Sequence, residues 1–166
     1  MNPMYTLYRF LGLMLMLVLV SFIWTQFATG HAADEHRHDA DHGRLVLDDG
    51  KKWQTDAPLR LAMTRIRNAV NAKLPAIHDD RLGGADYAAL GKTIDEDIAY
   101  IFKNCKLPAD ADGMLHLVLA DIMQGTRAMK GEQSGPGQRD GAVTVVHALH
   151  NYAAYFDHPG FKLPKD

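Results

Sequence analysis

Apolar residues recurring at spacings of three and four decide what this chain can build. Leu59, Met63, Ile66 and Val70 form one such stripe. Tyr87, Leu90, Ile94, Ile98, Ile101 and Cys105 form a second, and Leu115, Val118, Leu119 and Ile122 a third. That period puts each set on one face of an α-helix. The first helix is expected to be capped by Thr55 or Asp56, with Pro58 in the first turn, where its missing N–H costs nothing, and to stop at Pro75. The second is expected from about Asp86 to Asn104, before the break "KLPAD". The third runs from about Asp110 to Lys130, and "GEQSGPGQRDG" reads as a flexible connection. The fourth runs from about Ala142 to Phe156 and ends before "HPG", a proline stop. Strand signal is nearly absent after Lys51. Helices of roughly 15–20 residues with short links predict an all-α, up-down-up-down four-helix bundle over residues 55–158, with a tail at 159–166.

The N-terminus has a different character. Arg9 precedes an apolar run from Phe10 to Trp24, followed by small residues, Ala28 and Gly30, spaced like the last positions before a signal-peptidase cut. This is the three-part anatomy of a secretory signal. Counted on to Phe27, the run nears the roughly 20 apolar residues of a single spanning helix. Residues 1–30 are therefore expected to be a signal peptide or a membrane anchor. Either places the rest of the chain outside the cytoplasm, in the periplasm. A membrane contact is expected only where the segment is retained.

Residues 31–54 read as an arm and an extended lead-in. "HAADEHRHDADHG" is dense in His and Asp with nothing to pack, so it is expected to be a solvated arm. "RLVLDDGKKW" is expected to be a short strand or extended segment with "DDG" as its turn and Trp53 folding back as a lid on the first helix. Four histidines of the arm, His31, His36, His38 and His42, interleave with acids and could capture divalent metal weakly.

A formal net charge of -2 argues against a nucleic-acid partner, which normally asks for a basic excess. Catalytic machinery is not visible either. The carboxylates of "TIDEDI" are consecutive and spread over a helical turn, so they do not face one another. The reading is a non-enzyme. One cysteine, Cys105, forbids an internal disulfide although an exported chain would permit one.

Up-down connectivity turns the helices into a geometric expectation. Met63 lies about two turns into helix 1, Cys105 closes helix 2, His116 lies about two turns into helix 3, and His150 lies about two turns from the end of helix 4. At about 1.5 Å per residue these fall within about 10 Å along the bundle axis. Thiolate, thioether and imidazole together suit copper, cuprous copper especially, whereas zinc has little use for methionine. The expected metal ligands are thus Met63, Cys105, His116 and His150, with His147 and His158 as alternatives. Blander roles stand beside these: Met63 as core, Cys105 as packing, and His116 bonded to Asp112, its i−4 neighbour.

The layout resembles the soluble periplasmic cytochrome b and cytochrome c-prime group, exported four-helix bundles of similar core length. The resemblance covers roughly Thr55 to Phe156 and lies in helix order and ligand placement. It implies a non-covalent haem b held by Met63 and by His147 or His150. The attachment motif Cys-x-x-Cys-His is absent, so covalent haem is not implied. "DDGKKWQTDAPLR", "CKLPADADGMLHLVLADI" and "YAAYFDHPGF" also look like phrases of uncharacterised exported bacterial proteins. The leading expectation is an exported copper-binding bundle in metal handling or resistance. The alternatives are a haem b electron carrier and a structural or sensory bundle that binds a protein partner through "DHPGF" and Trp53.

Overall fold

Asp56 begins the first helix. Its backbone is extended and its Oδ1 accepts from the Leu59 N–H at 2.8 Å, the geometry of a helix N-cap. The computed structural model describes residues 43–135 and 137–164. The expected leader over 1–30 and the histidine arm, with His31, His36, His38 and His42, lie outside the described residues. Those residues form β1 (Trp53–Gln54), α1 (Ala57–His78), α2 (Gly84–Asn104), α3 (Ala109–Met129), α4 (Gln138–Tyr155) and β2 (Phe156–Asp157).

Consecutive helices run antiparallel. The Lys106 N–H, just past the end of α2, donates to Asp56 Oδ2 at 2.7 Å, and Lys73 near the end of α1 pairs with Asp86 near the start of α2 at 3.1 Å. Phe102 and His116 bring the end of α2 to the start of α3. Gly125 near the end of α3 meets Gly141 near the start of α4. A Cβ on Gly125 would lie 2.6 Å from the Gly141 carbonyl oxygen, so this crossing requires glycine. The stripes of the sequence meet inside: Leu59, Met63, Ile66, Ile94, Leu115 and Ile122 are all buried. The structure is thus mostly helical, with four helices among the described residues. No helix among these is long and apolar enough to cross a membrane.

Two boundaries depart from expectation. Pro75 does not stop α1, which runs on to His78. Proline removes one hydrogen bond there, but it lies in the last turn, where little helix remains to be broken. Ile77, buried beyond it, rewards the extra turn, and Asp79 N–H closes on the Pro75 carbonyl at 3.1 Å. The last helix begins at Gln138 rather than Ala142, because Asp140 Oδ2 accepts from the Gly137 N–H at 3.1 Å and holds the turn before it.

"DDG" is a turn: Asp48 and Lys51 bridge across Asp49 and Gly50, both at positive φ. Trp53 is half-buried against the core, and its Nε1 donates to the Val46 carbonyl at 2.7 Å. Its strand pairs in parallel with β2, Trp53 opposite Phe156 and Gln54 opposite Asp157. Both ends of the bundle sequence are tied together in this way.

Candidate functional site

Cys105 ends α2 because its backbone turns extended while its N–H still donates to the Ile101 carbonyl at 2.9 Å. The chain then returns through Pro108 into α3. This hairpin brings Cys105 and His116 to the wall of one cavity, of about 270 Å³, with Ile101, Phe102, Asp112, Leu115 and Leu119 as the remaining lining. Apolar side chains form its floor, and the sulfur, the imidazole and one carboxylate supply its polar groups.

The electrostatics of the thiol are set by its neighbours. Cys105 is half-buried, and Sγ lies 3.5 Å from Asp56 Oδ1, to which the S–H donates. Burial, then the Asp56 carboxylate, then Asp112, push the thiol pKa up to about 12. Such a thiol is no nucleophile near neutral pH. The carboxylates that keep its proton on would equally favour a cation in that proton's place.

His116 is exposed, and its Nδ1 lies 2.8 Å from the Asp112 carbonyl oxygen and 3.4 Å from Asp112 Oδ2. A carbonyl only accepts, so Nδ1 carries a proton, and in the neutral ring the lone pair is then on Nε2. A ring oriented in this way matches the outer bond that ligating histidines usually make. Phe102 stands beside it, ring centroids 6.1 Å apart, and is 55% exposed.

The other expected ligands lie elsewhere. Met63 is enclosed in the core at 0% exposure. His150 is half-buried and His147 exposed, and neither makes a hydrogen bond or ion pair among the described residues. His158 has both nitrogens engaged, Nδ1 with the Tyr152 hydroxyl at 2.9 Å and Nε2 with Thr64 Oγ1 at 3.5 Å. Further cavities open between α1 and α4, between α3 and α4, and again between α2 and α3. None of these, nor the Cys105 cavity, has Met63, His147 or His150 in its wall. Among the described residues no three His, Cys, Asp or Glu side chains gather as a metal-binding group. Cys105 and His116 share one cavity wall; Met63 and His150 are not part of that lining.

Two residues of the cavity wall, Asp112 and Phe102, and Asp56 beside Cys105 stand outside the expected ligand set. Asp56 was legible as a cap but not as the partner of Cys105. Asp112 was legible as the neighbour of His116. Phe102 had one signal, an aromatic directly after Ile101 and off the apolar stripe. Trp53 and Phe161 of "DHPGF", the segments of the partner-binding alternative, pack against the core, while Asp157, Pro159 and Gly160 are exposed. No family model, curated protein or solved structure matches the chain.

Proposed function

We propose that this chain is an exported helical bundle that binds monovalent copper between Cys105 Sγ and His116 Nε2, in metal handling or resistance outside the cytoplasm. One observation carries the reading: a thiol and an imidazole with a free Nε2 line the same cavity, with Asp56 and Asp112 making its surroundings negative. Two donors, one of them sulfur, suit a soft d10 ion that accepts two-fold coordination. Zinc in closed sites takes four. Leader and arm extend the proposal: residues 1–30 export or anchor the chain, and the arm histidines collect metal before it reaches the cavity.

The test is a competition titration with a cuprous chelator under reducing conditions, run on the purified chain, on Cys105→Ser and on His116→Gln. The expected result is one cuprous ion held tightly by the native chain, with affinity lower by at least about tenfold in each variant, while zinc binds the three proteins alike and weakly. Equal cuprous affinity in native chain and Cys105→Ser would leave the arm as the binding element and refute the cavity.

A further inference from the structure

The last helix ends where Phe156 turns extended, and residues 156–164 then cross the bundle as a strap. Its hold on the bundle is a set of named contacts. Thr55 Oγ1 donates to the Asp157 carbonyl at 2.5 Å, Arg67 Nη1 donates to the Lys162 carbonyl at 3.2 Å, and the Arg67 guanidinium sits 5.4 Å over the Phe161 ring. At the centre is His158, hydrogen-bonded to Tyr152 and Thr64 and packed on Phe161 with ring centroids 4.8 Å apart. Tyr152 itself is wholly buried and stacks on Phe156.

A neutral imidazole donates at one nitrogen and accepts at the other, and two hydroxyls can complement either tautomer. A protonated ring has two donors and a full charge. The groups facing it are Arg60 and Arg67 from α1, Tyr152 from α4 and Asp157 from β2, with β1 adding no charge. Two cations oppose the charge and one exposed carboxylate favours it. We infer that the strap over residues 156–164 is an acid-released latch whose sensor is His158, held between Tyr152 and Thr64.

The sign follows from those neighbours. Burial first, then Arg60 and Arg67, lower the His158 pKa from 6.5 in the docked state. Docking is therefore fully supported above about pH 6.5 and weakens as pH falls through the lowered value. The apolar stripes of α1, α2 and α3 make up most of the core without His158, so the helices survive release. What release uncovers is the apolar face of Tyr152 and Phe156, and with it the Trp53 strand that pairs there. The inference does not rest on the copper reading.

The chain carries a reporter for this motion. Of its two tryptophans, Trp24 can be replaced by Phe in the full chain, leaving Trp53 as the emitter. The expected result is a reversible red shift of Trp53 emission below pH 6.5 with helical circular dichroism unchanged. His158→Gln, which keeps a hydrogen-bonding side chain that cannot protonate, should hold the pH 8 spectrum throughout. A transition that persists unchanged in His158→Gln overturns the inference. Histidine resonances of the otherwise native chain supply a second reading that needs no His158 variant. His158 and the Trp53 indole N–H must titrate with one midpoint, and separate midpoints, or a silent indole, also overturn it.

Discussion

Asp56 and Cys105 face one another across the start of α1 and the end of α2, with the carboxylate Oδ1 3.5 Å from Sγ. The same carboxylate caps α1 through Leu59 N–H and takes the Lys106 N–H on its other oxygen. One side chain thus starts a helix, ties a second helix to it and sets the chemistry of the only thiol.

Replacing it separates these roles. Asp56→Asn keeps a capping oxygen but removes the charge, so the Cys105 pKa should fall below its value of about 12, read by thiolate absorbance in a pH titration. Asp56→Ala removes cap and tie together and should cost about 1–2 kcal/mol in urea unfolding. A thiol pKa unmoved in Asp56→Asn would mean that burial alone raises it.

The Gly125–Gly141 crossing makes a second prediction. Gly125→Ala drives a Cβ against the Gly141 carbonyl and Val145, where backbone must move, and should cost about 1–3 kcal/mol. Gly113, also in α3, has nothing within 4 Å of an added Cβ. There the same substitution should stabilise by about 0.5–1 kcal/mol, because alanine loses less freedom in a helix. Thermal unfolding of the pair separates a packing glycine from an incidental one. Equal effects would show that α3 and α4 do not approach this closely.

Asp97, buried on α2, has a pKa raised by burial, against which Arg65 at 3.6 Å pulls it down. Its ionised form is the disfavoured one in the fold. In the unfolded chain it ionises near the ordinary carboxyl value of 3.8. Above that value ionisation in the unfolded chain pulls against folding, and the deficit grows until pH passes the raised folded value. Asp97→Asn should therefore raise the unfolding midpoint at pH 7, with the gain shrinking as pH drops toward 3.8. Urea unfolding across pH 3.5–7 checks both sign and slope. A variant less stable at pH 7 would make the Arg65 pair the dominant effect.

The helices were legible because each stripe repeats for several turns and a proline or glycine cluster separates it from the next. Pro75 misled because a proline in a last turn removes a bond that a frayed end scarcely uses, and the burial of Ile77 decides the boundary. An extended lead-in up to Trp53 was legible, but its pairing with Phe156 was not: two residues at each end of the bundle sequence carry no periodicity, and the partner lies about a hundred residues away. For the site, antiparallel order correctly brings Cys105 near His116. Spacing along an axis fixes height but not direction around it. Met63 belongs to the inward stripe of α1 with Leu59 and Ile66, so its sulfur is spent on the core. His150 follows the buried pair Ala148 and Leu149, is half-buried and is not among the residues that line the cavity.

The protonated thiol gives the proposed metal site a signature of its own. With a pKa of about 12, Cys105 carries its proton at pH 7, and a cuprous ion bound as thiolate must displace it. Binding to the cavity should release about one proton per ion, and apparent affinity should climb about tenfold per pH unit across pH 6–9. Histidine ligands in the arm, already neutral through most of that range, would give a shallow dependence above pH 7. Calorimetry in two buffers of different ionisation enthalpy counts the protons directly. A count near zero that is the same in Cys105→Ser would place the ion on imidazole alone and remove Cys105 from the site. A count near one that disappears in that variant would fix the sulfur as the ligand, with burial first and Asp56 next resisting its ionisation until the metal arrives.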